Sequence, residues 1–390
     1  MTTRADRRRI LRRVTKVTAA FMVIVVLLIL GFAGWLKSRN DGPDPVASVE
    51  CEPFERPRTV EDINDFIDTQ RPAPGWAGGD VGASTALADG RSFWVFGDTL
   101  RPSTDGGPTM VRNSILIMGD DCAGVYRPAD GLAAIPDRDG EVGYWPTTVD
   151  SAPDGEGGTR VVVGLTRVKA VGDGAWDFQE LGASAARFQV PAGGVPQLVE
   201  VFDIGPDEPD PSKPLWSAAA YLADDGTVHL YGTRRSEEDL VFGYSLHAAR
   251  TTVPDLAHPE RWEYWDGTTW VKEESEAVAV IEAEKGVSRA LSVFERDGTW
   301  YAVSKQEEFL GSEMVIWTSP TPTGPFTATG PVASLPSDDE VVTYMALAHP
   351  ELLPEKGSVV VSWSVNAVDP TTLQSDPKLY RPEFRRVPLP

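Results

Sequence analysis

The chain has 390 residues, of which 41% are hydrophobic, 24% charged and 9% aromatic, and this composition excludes disorder over most of its length. Its 36 glycines and 32 prolines leave little room for long helices, while two cysteines exclude a thiolate zinc cluster and a disulfide-dense scaffold. The net charge of −22 conceals a basic start: residues 1–37 carry eight basic side chains against Asp6 alone, so the remainder stands at −29, repels phosphate backbones and excludes nucleic acid as a partner.

Residues 17–36 are twenty positions without a charge, including Phe21-Met-Val-Ile-Val-Val-Leu-Leu-Ile-Leu30. About twenty apolar residues in a helix span a bilayer core. The basic residues before them predict a cytoplasmic tail over 1–16, a transmembrane signal anchor over 17–36 and everything beyond exported. Gly31 and Ala33 also fit a cleavage site, and Arg7-Arg8-Arg9 loosely fits a twin-arginine signal; on either alternative the bulk of the chain still leaves the cytoplasm. A polar linker with Pro and Gly follows over 37–48, then a domain over 49–390. In an oxidising compartment Cys51 and Cys122 are expected to form a disulfide, the alternative being two buried thiols. Only residues 60–69 read as a helix.

Past the linker one pattern recurs: a turn containing Gly, then a short apolar strand. The copies are Asp89-Gly90 before Ser92-Phe-Trp-Val-Phe-Gly97, Gly157-Gly158 before Arg160-Val-Val-Val-Gly164, Asp225-Gly226 before Val228-His-Leu-Tyr-Gly232, Asp297-Gly298 before Trp300-Tyr-Ala-Val-Ser304, and Lys356-Gly357 before Val359-Val-Val-Ser362. Strand, Asp-Gly turn and strand is a hairpin signal. The turn glycines at 90, 158, 226, 298 and 357 are spaced by 68, 68, 72 and 59 residues, which leaves space for two more strands per unit. The expected fold is all-β, a five-bladed β-propeller. The last unit is short of a strand, and residues 47–56 are expected to supply it and close the ring.

In a hairpin the start of the first strand and the end of the second share one edge. Asp80 opens the first strand of unit one and Asp98 closes the second, so both carboxylates are expected at one mouth of the central channel. Two carboxylates suit glycosidic hydrolysis, in which one protonates the leaving oxygen and the other activates water or attacks the anomeric carbon. The plainer alternative makes Asp80 the cap of a Gly-rich turn.

The stretch Trp76-Ala-Gly-Gly-Asp80-Val-Gly-Ala-Ser-Thr-Ala-Leu-Ala-Asp-Gly-Arg-Ser-Phe-Trp-Val-Phe-Gly-Asp98-Thr99 resembles the opening signature of the domain-of-unknown-function 4185 proteins, a family associated with the endo-D-arabinanases of glycoside hydrolase family 183. Weaker likenesses are Val111-Arg-Asn113-Ser114, Tyr144-Trp145-Pro146, Trp216, Tyr231-Gly-Thr233, His349-Pro-Glu351-Leu352 and Ser362-Trp-Ser-Val-Asn366. The resemblance implies a five-bladed propeller, catalytic roles for Asp80 and Asp98, and hydrolysis of α-linked D-arabinofuranosyl chains like those of arabinogalactan and lipoarabinomannan in actinobacterial envelopes.

The same edge argument makes Arg112, Asn113, Trp145, Trp216, Arg234, His349 and Asn366 candidate substrate-binding residues. Packing between blades is the alternative for each Trp and a satisfied core position for His349. A third acid is sought among Glu307, Glu308 and Asp150. The four histidines form no ligand-spaced cluster, so no metal or cofactor is required. A structural Ca2+ in the channel, or at the acid runs Asp207-Glu-Pro-Asp-Pro and Ser337-Asp-Asp-Glu340, is left open. The expected protein is a membrane-tethered monomer acting on cell-envelope polysaccharide; the alternatives are a non-catalytic glycan-binding propeller and a protein-interaction platform.

Overall fold

The computed structural model divides the chain into two units, Met1–Val46 and Ala47–Pro390. It describes residues 47–390 apart from 70–74, 103–107, 140, 173–176, 208–211, 309 and 336. The tail, the membrane span and nearly all of the linker expected above lie outside the described residues, among which no helix is long and apolar enough to cross a membrane.

The second unit is a five-bladed β-propeller of antiparallel sheets. The first strands of the blades are Gly78–Ala86, Val142–Pro153, Leu215–Leu222, Ser292–Arg296 and Val341–His349. Each packs against the next, and the fifth returns to the first, so the ring is closed around their shared axis. The second strands are Ser92–Leu100, Thr159–Ala170, Thr227–Arg235, Thr299–Lys305 and Ser358–Ala367, and each forms with its first strand the hairpin read from the sequence. At the tips Gly90, Gly226, Gly298 and Gly357 hold positive φ, which the Asp-Gly pattern anticipates. Apolar side chains between neighbouring sheets make the core, as where Phe93 and Ile115 of blade one meet Val163 and Phe188 of blade two.

Closure differs from expectation. Blade five has three strands, ending with Pro382–Pro388, and gains none from the start of the domain. Ser48–Pro53 instead pairs with Cys122–Arg127 as the outermost strand of blade one. The Cys51–Cys122 disulfide, with Cα atoms 5.5 Å apart, therefore joins two neighbouring strands of one blade. The open edge of blade five is met by helix α1 (Val60–Asp68), which begins in a capping box of Thr59 and Asp62. Asn64 of α1 donates to Phe384 O and accepts from Phe384 N–H, both at 2.9 Å, so one side-chain amide replaces a strand partner.

Cys51 and Cys122 are 71 residues apart, and the bridge removes freedom from the unfolded chain. Cys51→Ser is expected to lower unfolding stability by about 2–4 kcal/mol in denaturant titrations. An unchanged midpoint would show that the outer strand opens ahead of the rest.

Candidate active site

The register of the blade-one hairpin passes from Gly79↔Thr99 to Val81↔Phe96, so Asp80 faces both Gly97 and Asp98 across a bulge. A bulge re-aims the side chains beside it. Val81 and Gly82 follow with φ of 68° and 67°, a conformation that a β-branched residue resists. Ser364 of blade five holds this bend by accepting from Val81 N–H at 2.9 Å. The Asp80 carboxylate lies directly over Gly97, where an added Cβ would come within 2.3 Å of Asp80 Oδ1.

Asp80 and Asp98 line one cavity of about 180 Å³ at a mouth of the ring, with further walls from blades two, four and five. Both acids keep partial exposure, so solvent reaches them. Tyr344 donates its hydroxyl to Asp80 Oδ2 at 2.8 Å, and Tyr380 donates to the same carboxylate. Burial pushes the Asp80 carboxyl up to about 6 against these two hydrogen bonds, which favour its ionised form. Trp145 donates its indole N–H to Asp98 Oδ1 at 2.9 Å. Burial, and next the charge of Asp80, push Asp98 up to about 7. Carboxyls raised to these values carry about one proton between them near pH 6.5.

Glu308 of blade four lines the same cavity, accepts from Arg289 N–H at 2.7 Å and is also raised by burial. Of the three acids considered from the sequence for a third role, it is the one that lines this cavity. Asp150 lies at the far end of its strand in a second cavity, where it accepts from the Leu222 and Ser151 amides at 2.6 and 2.8 Å. Glu307 does not line the cavity that Glu308 does. The Arg289 guanidinium pairs with Glu180 across the cavity wall. Asn366 Oδ1, Thr166 Oγ1 and Arg289 Nε are buried there without a hydrogen-bond partner among the described residues. Three orphaned polar atoms around one otherwise largely apolar cavity suit a ligand that combines hydroxyl groups with apolar faces. Trp145 and Phe178, packed edge to face at 4.6 Å, give it an apolar side.

Of the candidates drawn from the sequence, Asp80, Asp98, Trp145 and Asn366 meet in this cavity. Arg112 stands behind it, paired with Asp137 at 2.7 Å and lowering Asp98 by its charge. Arg234 lines a separate cavity on blade three. Three candidates are packing groups instead. Asn113 is fully buried, its amide bonded to Ile135 N–H and to the Ile135 and Tyr144 carbonyls, which staples blade one to blade two. Trp216 is buried against Tyr264 and donates to Glu274 at 2.8 Å. His349, expected to face the channel, is sealed between Ser84 and Ser362, with Trp94 stacked on its ring; burial takes it down to about 3, so it is neutral. Among the described residues no group of three His, Cys, Asp or Glu side chains is placed to hold a metal ion. The edge argument reaches Tyr344, near the start of a first strand, although the sequence reading passed over it. Tyr380 comes from an irregular connection that no periodicity marks.

Gly97→Ala is expected to displace the Asp80 carboxylate and to abolish any activity that needs it, while circular dichroism still shows the propeller. Full activity in that variant would remove Asp80 from the chemistry. Both aspartates ionise near 3.8 when unfolded, so between about pH 4 and 7 the folded chain keeps protons that the unfolded chain has released. The contribution of these two carboxyls to stability is thus greatest below this window and is lost as pH rises through it. Asp98→Asn is expected to raise Tm more at about pH 8 than at about pH 4; equal shifts would show that the carboxyl is not raised.

Residues 61–388 match the family model described as a domain of unknown function (DUF5005). No curated protein matches the chain. Among solved structures, a candidate hydrolase from Bacteroides ovatus ATCC 8483 is 20% identical, with a TM-score of 0.62 over 87% of this chain and 93% of that one, a likeness of fold. An endo-arabinase from Bacteroides thetaiotaomicron VPI-5482 is 13% identical over 82% and 97% of the two chains, at a TM-score of 0.44. The α-L-arabinofuranosidase PaAbf62A from Podospora anserina is 11% identical over 88% and 97%, at 0.43. The match does not confirm the resemblance of Trp76 to Thr99 to the endo-D-arabinanase signature; with most of its length inside the matched model, the chain belongs to the DUF5005 family.

Proposed function

We propose that the protein is a glycoside hydrolase. The observation that carries this reading is the meeting of Asp80 and Asp98 in one partly open cavity with their carboxyls raised to about 6 and about 7. Near pH 6.5 such a pair holds one proton. Asp80, supported by two tyrosine hydroxyls, takes the ionised role and attacks the anomeric carbon or activates water. Asp98, with the higher value, keeps the proton and delivers it to the leaving oxygen. The orphaned atoms of Asn366, Thr166 and Arg289 receive sugar hydroxyls, and the Trp145–Phe178 side takes an apolar ring face.

The narrower reading is cleavage of α-D-arabinofuranosidic bonds in envelope arabinan, within the chain. It rests on the resemblance of Trp76 to Thr99 to the endo-D-arabinanase signature. The Cys51–Cys122 disulfide supports a domain outside the reducing cytoplasm, and the uncharged run at 17–36 supports a membrane tether.

Product analysis on D-arabinan tests this directly. Release of oligosaccharides is expected, and Asp80→Asn and Asp98→Asn should each lower kcat by roughly 10³-fold or more. Binding without release, or full turnover in both variants, would replace the enzyme with a glycan-binding propeller. Activity is expected to follow a bell whose limbs lie near pH 6 and 7. The Tyr344 hydroxyl lowers Asp80, so Tyr344→Phe should move the acidic limb upward; an unmoved limb would assign that limb to another group.

A further inference from the structure

The Asp80–Asp98 cavity, at about 180 Å³, is smaller than the roughly 300–1,000 Å³ usual for ligand sites. A cavity of about 540 Å³ lies on blade three, lined by Ser212, Arg234, Arg235, Ser245, Glu282 and Glu284 among others. Both are lined from the same end of their blade hairpins. Arg234 and Arg235 end the second strand of blade three, opposite the start of its first strand, as Asp98 does in blade one.

One segment runs between the two cavities. Glu282, Ala283 and Glu284 line the larger, and Arg289 and Ala290 line the smaller. Between them Lys285 holds φ of 52°, with its carbonyl accepting from Gln306 Nε2 at 2.9 Å, and Gly286 O accepts from Glu307 N–H at 3.2 Å. The wall of the larger cavity therefore supports the turn that carries Glu308. Thr233 Oγ1 also donates to Arg289 O at 3.4 Å, tying the blade-three strand to that wall.

We infer that the blade-three cavity is a second binding site on the catalytic rim, one that holds the continuation of a neutral polysaccharide chain whose cleaved bond lies at Asp80 and Asp98. The inference rests on the glycosidase reading for its substrate class. Two guanidiniums, serine hydroxyls and the carboxylates of Glu237, Glu238, Glu282 and Glu284 make a set that donates to and accepts from hydroxyl groups. Carboxylates outnumber guanidiniums in the lining, which disfavours an anionic polymer.

Retardation of the full chain in native gels containing D-arabinan reads binding of the polymer separately from product release. Arg235→Ala, and Ala279→Trp to fill the cavity, are each expected to weaken retardation about ten-fold in apparent Kd, the worth of one or two charged hydrogen bonds. Kinetically, Arg235→Ala should raise KM for the polymer several-fold more than KM for an aryl arabinofuranoside, which reaches only the small cavity. Retardation indifferent to both variants, no retardation of the unchanged chain, or equal KM changes for the two substrates would overturn the site. Loss of retardation in the variants with no product released by the unchanged chain would support the site and sink the hydrolase reading, so the two failures are told apart.

Discussion

The Asp80 carboxylate can lie against the second strand of blade one only because position 97 has no side chain. That contact, and the bulge that makes it, bring two acids together eighteen positions apart in sequence. The arrangement is strained. Val81, Glu308 and Met345 all border the cavity and all hold positive φ, at 68°, 50° and 49°. Such residues cost on the order of 1–3 kcal/mol each and persist only where surrounding structure over-determines them. Here the over-determination comes from contacts across and within blades: Ser364 of blade five holds Val81, and Arg289 N–H, at the entry to blade four, holds the Glu308 carboxylate.

The ring determines what those acids can do. Each blade delivers the start of its first strand and the end of its second to one rim, so groups far apart in sequence share a small volume. Apolar packing between blades removes most water from the Asp80 and Asp98 carboxyls, while the mouth leaves them partly exposed. Burial raises both, and the charge of Asp80 raises Asp98 further; two tyrosine hydroxyls hold Asp80 back, while a single indole N–H does so for Asp98. The division of acid and base roles proposed above rests on that inequality.

The hairpins, the blade count and the meeting of Asp80 with Asp98 were legible because they follow from strand period and turn chemistry. The final strand was not. The count of blade-five strands falls short in the sequence as in the structure, but nothing in the pattern says that an amide of a helix, and not a strand, meets the open edge. Asn113, Trp216 and His349 show a second limit. The edge argument gives a residue's height in the sheet and not the way its side chain faces, and all three turn into blade-to-blade packing. Tyr380 shows a third, since it reaches Asp80 from a connection whose path depends on tertiary packing alone.

The two lateral margins at the seam carry their own insulation. Asn64 occupies the hydrogen-bonding groups of Phe384, and the outermost strand of blade one is short, largely exposed and carries Glu50, Glu52 and Pro53. Neither margin offers a neighbouring molecule a long, bare row of amides on which to dock a strand. A ring that is closed by contact alone, without a strand crossing its seam, can in this way meet copies of itself without recruiting them into fibres.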